Sequence, residues 1–222
     1  VNLQENIQRI KEVMGINEQI PDSRFQPRTK HEDLPSIGLD DTIDLVSAAI
    51  DGIPGIGNLV SAGIDIIHTI SYIVRYFFSK TDEERIENAT LAFITLGATF
   101  IPIAGNSLPI MVRTGIKQVL KYTPAEIMII GQKLGIVDRT KFFLFKNKFQ
   151  YLFLLVLAKF LGGELAESLT EVSKKLSQLI QEVNKTPKLK YFKEPLQNFN
   201  TLVQDLKKDA DIAVKISSEL KK

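Results

Sequence analysis

An all-α fold follows from three features of the sequence. Helix-start signals recur along its length, apolar residues repeat at steps of three and four, and no alternating apolar and polar run is bounded by a hairpin turn. Together they predict two apolar helical hairpins joined by IPxxGN turns, followed by a long amphipathic helical hairpin.

Residues 1–18 open the chain with a short amphipathic helix whose stripe is Leu3, Ile7, Ile10 and Met14. Residues 19–40 are rich in proline and charge and poor in apolar periodicity, which is the composition of a linker. Residues 41–135 hold the duplicated apolar module. Asp41 starts TIDLVSAAIDG, and the phrase IPGIGN, Ile53 to Asn58, joins it to LVSAGIDIIHTISYIVRYFF. The phrase returns as IPIAGN, Ile101 to Asn106, between RIENATLAFITLGATF and SLPIMVRTGIKQVLKY. In each copy Pro54 or Pro102 pushes the preceding isoleucine out of the α region and stops the incoming helix. Gly55, Gly57 and Gly105 permit the turn, and Asn58 or Asn106 caps the helix that follows.

Further start signals are Thr81-Asp-Glu-Glu84 and Thr123-Pro-Ala-Glu126, both of capping-box form, with Pro124 at the first helical position of the second. The C-terminal helical region covers residues 136–222. Asp138 is placed to cap the segment RTKFFLFKNKFQYLFLLVLAKFLGG. Leu165, Leu169, Val172, Leu176, Leu179 and Val183 then recur at the spacing of a coiled-coil seam. After Pro187 and Pro195, Leu196, Phe199, Val203, Leu206, Ala210 and Ala213 do the same, which predicts an antiparallel hairpin. Lys174, Lys175, Lys207 and Lys208 fall on its solvated outer face.

The composition narrows the function. With 222 residues the chain is long enough for a sizeable core. Its 28 basic and 26 acidic residues leave a net charge of +2, so no general attraction to nucleic acid is predicted. Absence of cysteine removes disulfides, thiolate metal sites and thiol nucleophiles, and fits a reducing compartment or a bacterial or viral origin. The first residues lack the basic start and apolar middle of a secretory signal, so export by that route is not expected. Between Glu87 and Arg113 lie 25 residues without an ionisable side chain. As one helix they would span about 37 Å, enough for roughly 30 Å of hydrocarbon. Pro102, Gly105, Asn106 and Pro109 interrupt the run, and two shorter helices joined by a turn are the expectation.

A hydrophobic helix beginning with Asp, a Pro-x-x-Gly turn, a second apolar helix, a polar link and a second Ile-Pro-x-x-Gly turn resemble the pre-toxin modules of bacterial polymorphic toxins. The resemblance covers about residues 41–120. Pro54, Gly55, Gly57, Pro102 and Gly105 match the turns, while Asn58 and Asn106 stand where that family usually has Asp. It implies a module that precedes a toxin domain and assists passage or association with membranes, although residues 121–222 read as a helical tail with no nuclease or other toxin signature. The start, LQENIQRIKEVMGINE, is similar to the capsid-targeting leader of internal head proteins of T4-like phages. That leader is cleaved after Leu or Ile, any residue, then Glu, as Ile16-Asn17-Glu18 would allow. Leu3 to Glu5, Ile10 to Glu12, Leu165 to Glu167, Leu169 to Glu171 and Ile180 to Glu182 fit the same rule.

Chemistry has few candidates. Asp65 and His68 stand three residues apart in an apolar helix, which makes them a possible pH-sensitive pair or a satisfied interfacial pair. Asp44, Asp51 and Asp65 are carboxylates set among apolar residues, but no convergent catalytic set, phosphate loop, cofactor motif or metal-ligand spacing is present. Phe142, Phe143, Phe145, Phe149, Tyr151, Phe153 and Phe160 alternate with Lys141, Lys146, Lys148 and Lys159. Such a run suits a core first, a membrane interface second and nucleic acid a distant third. Tyr72, Tyr76, Phe77 and Phe78 beside Arg75 fit either a buried seam or an interfacial belt. The reading is a non-enzymatic, membrane-associating or delivery module of a toxin or phage-ejection system, without cofactor or catalytic residues, its partner a lipid membrane. The alternative is a soluble packaged or structural virion protein, directed to a shell or scaffold by its N-terminal helix.

Overall fold

A long helix apolar on every side has to be surrounded, and the segment KFQYLFLLVLAKFL sets that requirement here. The computed structural model describes residues 66–96, 107–185 and 187–220, and these are helical without a strand. In chain order the helices are α1 (Ile66–Phe78), α2 (Asp82–Thr95), α3 (Ser107–Leu120), α4 (Pro124–Lys133), α5 (Val137–Phe145), α6 (Lys148–Leu161), α7 (Leu165–Lys185), α8 (Lys193–Leu206) and α9 (Ala210–Leu220). Helix α6 is the apolar segment: Phe149, every residue from Tyr151 to Ala158, and Leu161 are buried. It packs against α2, α3, α5, α7 and α9, so a single core runs from Ile66 to Leu220.

Helices α1 and α2 form the most extensive pair, and their order is antiparallel. The Thr69 hydroxyl near the start of α1 donates to Thr95 Oγ1 at the end of α2, at 3.0 Å. Ile70, Ile73 and Val74 of one and Ile86, Ala89 and Phe93 of the other are closed inside. Thr81 caps α2 as its sequence predicts, accepting the Glu84 N–H at 3.1 Å, while the Glu84 carboxylate accepts the Lys80 N–H at 3.0 Å. The uncharged run from Asn88 to Val112 is helical at both ends, in α2 and α3, which pack together. Both IPxxGN turns lie outside the described residues, as do the helix and leader of residues 1–18 and the linker of residues 19–40. Among the described residues no helix is long and apolar enough to cross a membrane.

Two sequence expectations need correction between residues 136 and 161. Asp138 does not cap: the cap position of α5 is Ile136, without a side-chain bond, and Asp138 lies in the first turn of the helix. Nor is RTKFFLFKNKFQYLFLLVLAKFLGG continuous, because Lys146 is extended and Asn147 starts a new helix, its Oδ1 accepting the Phe149 N–H at 3.0 Å. Asparagine offers the backbone a local partner and so favours a break at this point. An ion pair from Lys146 to Asp209 ties the break to the turn between α8 and α9.

The predicted C-terminal hairpin is present in α7 and α8. Leu165, Leu169, Val172, Leu176, Leu179 and Val183 are all buried, and so are Leu196, Phe199, Val203 and Leu206. Its register is pinned by polar side chains: Ser173 Oγ donates to Asn200 Oδ1 at 2.9 Å, and Asn200 Nδ2 donates to Ser177 Oγ at 3.2 Å. The second apolar stripe is not one helix, however. A 3-10 turn at Lys207–Asp209 redirects it, so α8 packs on α7 and α1 while Ala210 and Ala213 belong to α9, which packs on α6.

The corner between α4 and α5 sets which side of α5 meets solvent. Helix α4 opens with the full capping box at Thr123 and Glu126. It closes on Gly135 at φ 67°, with Ile136 N–H on the Gly131 carbonyl at 2.9 Å and Gly135 N–H on Gln132 at 3.0 Å, a Schellman motif that requires the left-handed residue. The two helices then approach so closely that a Cβ on Gly131 would stand 2.7 Å from Thr140 Cβ.

Gly131→Ala would gain up to about 1 kcal/mol of helix propensity. Overpacking against buried, stiff Thr140 costs about 1–3 kcal/mol, so net destabilisation is expected in urea unfolding. In a Thr140→Ala background the same change should turn neutral or stabilising; equal effects in both backgrounds would contradict the close approach. The exposed Glu126 carboxyl lies below its usual 4.5 because the Thr123 N–H and then the Thr123 hydroxyl bond it. A depressed carboxyl stabilises above its unfolded pKa and loses that effect as pH falls through the folded value. The stability gap between the native chain and Glu126→Gln should therefore close in acid, as thermal melts from pH 7 down to about pH 3 would record.

Candidate functional site

The aromatic run is divided by the break at Asn147 into a buried and an exposed part. Phe143 faces inward, its ring 6.0 Å from that of Tyr151, and Phe149 stacks on Phe153 at 5.6 Å. Burial, and secondly the charge of Asp82, push the Tyr151 phenol above its ordinary 10.0, so it packs as a neutral group. The other face of α5 carries Arg139, Phe142 and Phe145 at steps of three, which puts them on one side of the helix. Phe142 is 77% exposed and Phe145 87%. Ile129 of neighbouring α4 is also largely exposed.

Such exposure is unusual for phenylalanine. Single exposed apolar residues need no explanation, but two rings exposed on one helix face form a small apolar ledge. Several basic residues lie near it in the sequence. Lys133, Arg139 and Lys141 are exposed on α4 and α5, and Lys148 follows at the start of α6. Lys141 stands 3.9 Å from Asp138, and Lys148 stands 3.5 Å from Asp82 at the start of α2, both solvent-exposed pairs that hold their partners weakly.

Compared with protein-family models, with curated proteins and with solved structures, the chain matches none. The site is therefore read from its own residues.

The residues singled out from sequence fare unequally. Pro54, Gly55, Gly57, Asn58, Pro102, Gly105, Asn106, Ile16, Glu18, Asp44, Asp51 and Asp65 lie outside the described residues. Of the Asp65 and His68 pair only His68 is described: it is half-buried on α1, its ring 6.3 Å from that of Tyr72. The belt around Arg75 is a packed seam. Tyr72 is buried, and the Tyr76 ring lies 5.3 Å from Phe149 and 5.8 Å from Phe199. Among the described residues no group of three His, Asp or Glu side chains is arranged to hold a metal ion.

A second feature escaped the sequence. Arg113 of α3 donates from Nε to Glu87 of α2 at 2.8 Å, across 26 residues of chain, at the rim of a cleft of about 160 Å³ beside the turn from α1 to α2. Arg75 and Lys80 line the same cleft. No local spacing announces it, because three separate helices supply its walls.

Proposed function

We propose that this chain is a non-enzymatic, membrane-associating module, of the kind used in toxin delivery or phage ejection, and that it touches lipid through the α5 ledge. The observation that carries the reading is the pair Phe142 and Phe145, 77% and 87% exposed on one helix face with Arg139 and Lys141 beside them. Aromatic side chains that enter the headgroup boundary, flanked by cations that meet lipid phosphates, are the usual composition of an interfacial helix.

Magnitude decides what kind of association this would be. Transfer of two phenylalanines is worth about 3–6 kcal/mol, and each cation near an anionic surface adds about 1 kcal/mol. That sum is in the range of a single acyl chain, which gives reversible binding and not permanent anchoring. The described parts of the two apolar hairpins do not have to open for it, since Ile70, Ile73, Ile86 and Phe93 already have their partners in the core.

The same burial favours the second reading, a packaged or structural virion protein. Apart from the ledge and scattered residues such as Ile110 and Met111 on α3, the described apolar side chains are largely occupied with one another. Flotation separates the two. The full chain should float with vesicles rich in anionic lipid and much less with neutral vesicles, at pH values from about 5 to 7.5, where a histidine would change charge. Phe142→Ser with Phe145→Ser should lower the bound fraction at least about tenfold while circular dichroism stays that of the native chain. A chain that never floats, or a double variant that floats as well as the native one, would discard the membrane reading and leave the packaged one in front.

A further inference from the structure

The cleft beside the turn from α1 to α2 has an unbalanced set of charges. Its two carboxylates are both engaged: Glu84 accepts the Lys80 N–H at 3.0 Å, and Glu87 accepts from Arg113 Nε at 2.8 Å. The Glu87 side chain is only 15% exposed and lies beneath that guanidinium, which is itself 61% exposed. The polar groups behind them are satisfied as well. Buried Asn88 donates from Nδ2 to Ser79 Oγ at 3.0 Å, and Ser79 donates in turn to the Arg75 carbonyl at 2.7 Å.

What is left over is cationic. The Arg75 guanidinium is half-buried and has no hydrogen bond or ion pair with another described residue, although Glu84 and Glu87 line the same cleft. Arg113 uses Nε on Glu87, and its terminal nitrogens are further donors. With Lys80 the lining carries three cations against two carboxylates. A planar guanidinium with unused donors, held by a packed helix, is suited to an oxyanion, which it can meet through two parallel hydrogen bonds. The volume, about 160 Å³, gives room for a phosphate group.

We infer that this cleft binds a phosphate-type oxyanion, clamped by Arg75 and Arg113 with Lys80 adding charge. The site stands on the cleft alone and is independent of the membrane reading. Free phosphate and a phosphorylated lipid headgroup present the same chemistry. The second source has a structural opening, because the ion pair of Lys148 and Asp82 joins the helix that follows Phe145 to the helix that follows Lys80.

The test is a titration of the full chain with inorganic phosphate, followed by NMR chemical shifts. Saturable shifts confined to residues around 75, 80, 88 and 113 are expected, with a Kd on the order of 1 mM for so small and open a site. Arg75→Gln should weaken binding at least about tenfold, and Lys80→Ala, a change at a half-exposed turn, should weaken it by a smaller factor with the helical spectrum intact. Phe142→Ser with Phe145→Ser should bind phosphate normally. Glycerol phosphate and vesicles containing phosphatidate then identify the source. Tight glycerol phosphate binding together with reduced flotation of Arg75→Gln assigns a headgroup, and unchanged flotation assigns free phosphate. Shifts that do not saturate, or native-strength binding by both Arg75→Gln and Lys80→Ala, would overturn the site.

Discussion

Helix α6 is the constraint on which the other helices depend. From Tyr151 to Ala158 it has no polar side to turn outward, so water must be excluded around its whole circumference. Five helices accomplish that, from both ends of the described chain: α2 and α3 on one side, α5, α7 and α9 on the others. The described helices before residue 97 and those after residue 106 consequently share one core. Close fit accompanies the enclosure, for a Cβ on Gly115 of α3 would stand 2.6 Å from the ring of Phe160 on α6. Glycine allows the two backbones to approach where an aromatic ring already fills the space.

Enclosure of α6 also explains why the ledge exists. Helix α5 reaches the core through Thr140 and Phe143, and the tight crossing at Gly131 fixes its rotation. With that face committed, residues 139, 142 and 145 can only point away from it. Had the helix continued past Lys146, its apolar side would have followed α6 into the core. The break at Asn147 and the tie from Lys146 to Asp209 prevent this. Exposed phenylalanine is thus a product of how the α4–α5 corner packs.

Charge is arranged with less economy than apolar surface. Several ion pairs among the described residues are local and exposed, such as Lys185 with Glu182 and Lys208 with Asp205, and contribute little to stability. Three link elements distant in sequence: Arg113 with Glu87 and, on either side of the Asn147 break, Lys146 with Asp209 and Lys148 with Asp82. The α1 to α2 turn, the start of α6 and the α8 to α9 turn are thereby connected, and the cleft with Arg75 and the ledge with Phe145 adjoin this connected region.

The amino-acid sequence by itself determined the all-helical fold, the caps at Thr81 and Thr123 and the buried seam from Leu165 to Val183, because these depend on residues within one or two helical turns. Periodicity assigns faces inside a segment but does not say where a segment ends. For that reason the interruption at Asn147, the bend at Lys207–Asp209 and the shift of the cap from Asp138 to Ile136 were not legible. Nor did the aromatic run disclose which rings meet water: Phe142 and Phe143 are neighbours in sequence, yet one is 77% exposed and the other fully enclosed. Tertiary structure alone decided that, and it alone brought Arg75, Glu87 and Arg113 to one cleft. The physical reason is the same in both cases. Which side of a helix faces solvent, and which charges meet across helices, is set by how neighbouring helices cover an apolar segment, and such packing is non-local.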